Sequence, residues 1–144
     1  VIRKATTEDL NYLVNHPLIR PHTGFPDDGL ISMDVVLLNP CNIGLLDGDI
    51  GGMLFGSEGE HEFSCHFLFI PGSGGFLIKE TARAMLDQMF TKYGAHVIRG
   101  YPPRDNRAVR SIGVALGFKK IPKSDFIDDL GRPCDVYELR KTDG

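Results

Sequence analysis

The sequence has little of what marks a disulfide-built, membrane-spanning or nucleic-acid-binding chain. It has three cysteines, Cys41, Cys65 and Cys134. An odd number at wide spacing makes neither a disulfide framework nor a CxxC metal knuckle, so no metal site is expected. Reduced thiols and a cytoplasmic location fit best. No apolar run approaches the roughly 20 residues that cross a bilayer, and the first residues lack a signal-peptide core. No long basic run is present. Lys119, Lys120 and Lys123 form one small cluster in a chain of net charge −3. Neither a membrane nor a nucleic acid is therefore an expected partner. Internal repeats and linker-like stretches are also missing.

What is present is ordinary globular material. The chain has 144 residues, 42% apolar and 24% charged. That is enough to bury a core, and residues 1–144 read as a single domain. Val1 to Lys4 predicts a strand. In Thr6-Thr7-Glu8-Asp9 a Thr cap and early acids mark a helix start, and Pro17 ends the pattern. Residues 16–28 read as a loop that lies over a site. Ile31 to Leu38 predicts a short second helix, stopped by Asn39-Pro40. Three strands follow, Asn42–Asp47, Ile50–Phe55 and Glu60–Ile70, with turns at Gly48 and at Gly56-Ser57-Glu58-Gly59.

Pro71-Gly72-Ser73-Gly74-Gly75 then opens the strongest helix. Ile78, Ala82, Met85 and Met89 form its apolar stripe, and Tyr93-Gly94 ends it. A short strand at His96–Gly100, a Pro102-Pro103 loop and a helix from Asn106 to Leu116 come next. Gly117 caps that helix. A strand at Phe118–Ile121, a polar connection over 123–134 and a last strand at Val136–Arg140 complete the pattern.

Two segments carry chemistry. A helix N-terminus offers unpaired N–H groups and partial positive charge, and glycines let a phosphate approach them. The loop before Phe76 has both features. It is neither a P-loop nor a GxGxxG fingerprint, because no Lys-Ser or Lys-Thr follows Gly75. A plain strand-to-helix turn is the alternative. Asn106 similarly reads as a helix cap or as a ligand-facing polar group.

In their order these pieces resemble the GNAT superfamily of acyl-CoA-dependent N-acyltransferases. The resemblance runs from the Ile2-Arg3-Lys4-Ala5 opening with Asp9-Leu10, through His66-Phe67-Leu68-Phe69-Ile70-Pro71 and the glycine loop, to the Asn106 helix that ends in Gly117-Phe118. The subgroup it resembles includes bacterial and phage proteins with a His-x-x-Phe-x-Pro run. The resemblance implies an α/β (α+β) three-layer fold. A mixed, mostly antiparallel central sheet of about six to seven strands would be flanked by helices. It implies acetyl-CoA (CoA) as cofactor, with pantetheine in a splay between two parallel strands. Cofactor contacts would come from Leu68, Phe69, Ile70, Ser73, Gly74, Gly75, Phe76, Leu77 and Asn106. The implied reaction is direct acetyl transfer to a primary amine of a protein or small molecule. A homodimer is an arrangement common in the family.

Two positions depart from the family pattern. The loop keeps only Gly75 of the usual Arg/Gln-x-x-Gly-x-Gly/Ala, since Gly72 and Leu77 occupy the flanking places. Gly113 stands where many members carry a Tyr general acid. A GNAT-fold module that binds CoA or a protein partner without turnover is therefore the alternative function.

Catalytic candidates lie on the strand before the loop. His66 suits proton transfer near neutral pH, although a histidine that only orders the sheet is nearly as well supported. Glu62 and Ser64 share its face by alternation, while Cys65 faces the core. His22 and Tyr101 are further candidates for the acceptor side. Asp27, Asp28 and Glu62 would favour a cationic amine.

Overall fold

The computed structural model describes residues 1–23, 29, 32–48, 50–122, 126–128 and 130–142. The order of elements is β1 (Ile2–Lys4), α1 (Thr7–Val14), β2 (Ile43–Asp47), β3 (Gly51–Gly59), β4 (Glu62–Phe69), α2 (Gly75–Thr91), β5 (Val97–Gly100), α3 (Arg107–Ala115), β6 (Lys119–Lys120), β7 (Phe126–Ile127), β8 (Pro133–Cys134) and β9 (Tyr137–Arg140). Seven strands form the main sheet in the order β1-β2-β3-β4-β5-β9-β6. Its pairs are antiparallel except β4 with β5, which run parallel. This is the mixed arrangement that the family resemblance implies.

Strand alternation sends the two faces of the sheet to two cores. Met53, Phe55, Phe63 and Cys65 pack with Ala82, Met85, Leu86 and Met89 of α2. Leu46, Leu54 and Leu68 pack on the other face against Leu10, Leu13 and Val14 of α1. The α2 stripe read from the sequence is the stripe that is buried. Helix α1 begins as a capping box, with Thr6 and Asp9 exchanging bonds. Both expected glycine stops take the left-handed conformation, Gly94 at φ 73° and Gly117 at φ 99°. Gly52 is required by close pairing, because a Cβ there would lie 2.1 Å from the Leu45 carbonyl oxygen.

Three local readings are corrected. The short helix over 31–38 does not form in the part that is described. Residues 34–38 make turns, with the Val36 N–H donating to Met33 O at 3.1 Å. The Asn11 side chain takes the Met33 N–H at 2.6 Å, so that donor is committed to a long-range contact. The turn at 56–59 is instead strand: β3 runs to Gly59, with a register shift between Ser57 and Gly59. The reversal falls at Glu60-His61, where His61 takes φ 61°. Finally, the polar connection holds a small hairpin of β7 and β8. Lys123 of the basic cluster lies outside the described residues, and Lys120 is paired with Asp135 at 3.7 Å.

Candidate active site

The site is made where two parallel strands part. β4 and β5 pair only at Glu62–Val97, Phe63–Ile98 and Ser64–Arg99. β4 then continues to Phe69, while β5 ends at Gly100. The cause is local chemistry followed by long-range pairing. Pro102 and Pro103 have no N–H to offer a neighbouring strand. Their chain turns to β8, where Asp135 N–H donates to Pro102 O at 3.0 Å and Arg104 N–H to Pro133 O at 3.0 Å. Among the described residues, Cys65–Phe69 therefore have no β5 partner.

A cleft of about 290 Å³ opens in that gap. The sheet contributes Leu54, His66 and Leu68; the loop after β5 contributes Tyr101. Helix α3 contributes Asn106, Val109, Arg110 and Gly113. Their spacing of three, four and seven residues is one helical face. His22 and Thr23 reach the cleft from the early loop. Asp27 and Asp28, assigned to the acceptor from sequence, lie outside the described residues.

The structure places the sequence candidates in three groups. His66, Leu68 and Asn106 line the cleft. Asn106 also caps α3, its side-chain oxygen accepting from Val109 N–H at 3.3 Å. Ser73, Gly74, Gly75, Phe76 and Leu77 form the turn into α2, beyond the cleft wall. Gly74 is the N-cap at φ 96°, and no side chain caps the helix. Gly72, Gly74 and Gly75 have open space where a Cβ would stand. Ser73 Oγ donates to Ile70 O at 3.1 Å. Phe69 is buried toward α2, and Ile70 packs on the α1 side.

Glu62 and Ser64 share the His66 face, as alternation required, but neither lines the cleft. Ser64 Oγ reaches Gly56 O at 3.4 Å. Glu62 accepts from Arg99 Nη2 at 2.7 Å. Arg99 also meets Glu58 at 3.6 Å and Glu138 at 3.2 Å. The Arg99 guanidinium thus stands among three carboxylates beside the cleft, one of which, Glu138, is also bonded by Arg140.

Glu58 is the residue that sequence reading passed over, because a turn position hides a strand position. Tyr101 Oη donates to its carboxylate at 2.6 Å. Burial and that carboxylate both push the Tyr101 pKa up. His66 is enclosed by protein yet keeps a face open to water in the cleft. Enclosure lowers its pKa from the ordinary histidine value, against the opposing Glu58 charge. Water at the open face keeps that lowering below what a dry site would give. Cys65 points into the α2-side core, where burial pushes its thiol up to about 12.

Comparison with solved structures supplies the decisive likeness. An aminoglycoside acetyltransferase in complex with coenzyme A matches at TM-score 0.73 and 16% identity, over 98% of this chain and 94% of that one. A spermidine N-acetyltransferase chimera from Vibrio cholerae matches at TM-score 0.72 and 13% identity, over 97% and 96%. This chain has the fold of the GNAT acetyltransferases. A proposed acetyltransferase from Salmonella typhimurium, solved with its cofactor acetyl-CoA, also matches at TM-score 0.71 and 17% identity, over 97% and 92%. No family model matches the sequence, and no curated protein does. Identities this low carry the likeness at the level of the GNAT fold, in which some relatives hold CoA or acetyl-CoA.

The residues present fit such a group. The parted strands leave a slot, the glycines leave room before α2, and the first-turn N–H groups of α2 have no side-chain cap. Among the described residues, no helix is long and apolar enough to cross a membrane.

Proposed function

We propose that residues 1–144 form one acyltransferase domain that moves an acetyl group from acetyl-CoA to a primary amine by direct attack. The carrying observation is the parting of β4 from β5 after Ser64, with α2 beginning at an uncapped glycine turn at the same edge. When bound, the cofactor supplies a thioester carbonyl open to attack by an amine. The edge of β4 from Cys65 to Phe69, with Leu68 facing the cleft, would hold the pantetheine arm. Ser73 to Leu77 would meet the diphosphate through backbone N–H groups, and Asn106 would lie beside the arm.

His66 is the proposed base. With its pKa lowered it is mostly neutral near pH 7, so it can take the proton that the attacking amine must lose. Ser64 stands two residues along the strand and Glu62 four, about 7 and about 13 Å away. Glu62 therefore serves best as part of the charged rim rather than as a direct partner of His66. Three carboxylates, Glu58, Glu62 and Glu138, stand there with two guanidiniums, Arg99 and Arg140, and the one negative charge left over favours a cationic acceptor. Relatives named for spermidine and for aminoglycosides act on amines of that kind. Cytoplasmic thiol conditions suit the buried, unpaired cysteines.

Gly113 supports a second reading, a CoA-binding module without turnover. It lines the cleft with no hydroxyl to offer. Calorimetric titration with acetyl-CoA, followed by thiol release with polyamine and aminoglycoside acceptors, separates the two. Binding with turnover supports the transferase. Binding without turnover across the acceptor panel supports the module, and no binding at millimolar cofactor removes both.

A further inference from the structure

We propose that Arg110 is the cation that binds the cofactor's diphosphate, an assignment that rests on the CoA-binding reading above. Arg110 lies on the cleft face of α3 between Asn106 and Gly113. Its Nε is buried and has no hydrogen-bond partner among the described residues. The carboxylates around the cleft among the described residues are engaged elsewhere. Asp128 holds Arg132 at 2.7 Å, and Glu58 holds Tyr101 and Arg99. A guanidinium partly withdrawn from water and left unpaired is costly. Such a group is explained by an anion that arrives with the ligand.

The fold says which part of the ligand that anion is. β4 and β5 are parallel, and α2 and α3 follow them, so both helices start at the same edge of the sheet. Arg83 of α2 donates to Ala115 O of α3 at 3.4 Å. Arg83 lies eight residues after Gly75, and Ala115 lies eight after Arg107. That single side-chain contact ties the two helices at matching distances from their starts and sets Arg110 near the level of the first turns of α2. Helical side chains lean toward the N-terminus of their own helix. Arg110 thus extends toward the level of the first turn of α2, where the glycine turn leaves open space. From Ile70 to Ile78 the chain carries no charged residue. The first cation after that stretch, Lys79, leans over the Phe76 ring at 5.7 Å from its centroid, so Arg110 would add the cation that reaches the backbone N–H groups from across the slot. A guanidinium suits this role because its planar fork can bond two phosphate oxygens at once.

The test is calorimetric binding of CoA, desulfo-CoA and dephospho-CoA to the wild type, Arg110→Gln and Arg110→Lys. The melting temperature of each free protein is measured alongside. The expected result is a rise in Kd of about 10- to 100-fold in Arg110→Gln, equal for all three probes. Arg110→Lys should recover part of it, and the salt dependence of CoA binding should weaken in Arg110→Gln. The free variant should melt no lower than the wild type, because a guanidinium whose buried Nε has no partner among the described residues has been removed. Unchanged affinities with intact wild-type binding overturn the assignment. A penalty confined to CoA and missing with desulfo-CoA also overturns it, since Arg110 would then serve the sulfur. A penalty missing with dephospho-CoA points to the ribose phosphate and overturns it too. If the wild type binds none of the probes, the CoA-binding reading has failed and this assignment falls with it.

Discussion

Replacing His66 by glutamine tests the proposed base, and the structure sets the direction of each effect. The pKa of His66 is lowered by enclosure and partly restored by the Glu58 carboxylate. The acid limb of kcat/KM should therefore lie below the ordinary histidine value of about 6.5, with activity lost as pH falls through it. A positioned base contributes about 10²- to 10⁴-fold, so His66→Gln should lose at least about 100-fold, or about 2.7 kcal/mol of barrier. The acid limb should flatten in the same variant. Glu58→Gln removes the charge that holds the His66 pKa up, so its acid limb should move to still lower pH. Tyr101 keeps an acceptor in the new side chain's amide oxygen, which limits collateral change. The assay is thiol release from acetyl-CoA with an accepted amine, between pH 5 and pH 9. The amine's own titration appears on the upper side and should not move. The reasoning is refuted if His66→Gln keeps the wild-type acid limb, or if Glu58→Gln shifts that limb upward.

Three predictions concern the scaffold. Gly113→Ala should stabilise the protein by about 0.5–1 kcal/mol, because alanine is the better helix residue. The added Cβ would meet only Phe118 Cβ at 3.9 Å, and a lower denaturation midpoint would contradict this open packing. Asp9 is held at a pKa of about 2 by the Arg3 guanidinium bond, with Thr6 also donating to it. Its folded value lies below the unfolded one, so its contribution is present above about pH 4 and lost as pH falls toward 2. Asp9→Asn should melt lower than wild type at pH 7, and the difference should vanish in acid melts near pH 2. Thr6→Ala should cost about 1 kcal/mol through the same cap.

Some of the site was legible in the residues alone because it depends on local rules. The glycine stops, a Thr cap with early acids at the start of α1 and the α2 stripe need only helix geometry, and each appears where the residues placed it. The alternation of His66 with Cys65 needs only the pleat. Glu58 was hidden because Gly56-Ser57-Glu58-Gly59 has the composition of a turn. Pairing with Glu62–Ser64 instead carries the strand through it, and the reversal falls on His61. Turns replace the helix expected near Val36, and the segment is tied by Met33 to Asn11, more than twenty residues away in sequence.

By itself the sequence determined which segments are strands and helices over most of the chain, which faces are apolar, and where a glycine turn opens the long helix. Those properties follow from neighbours a few residues apart. The tertiary structure alone decided that β5 leaves β4 after Arg99, because Pro102 and Pro103 find their partners at 133–135. It also decided that Tyr101, Glu58 and Arg99 meet beside His66, and that Arg110 faces a cleft with no acid to pair it among the described residues. Such meetings depend on contacts across thirty residues or more, which no local pattern encodes.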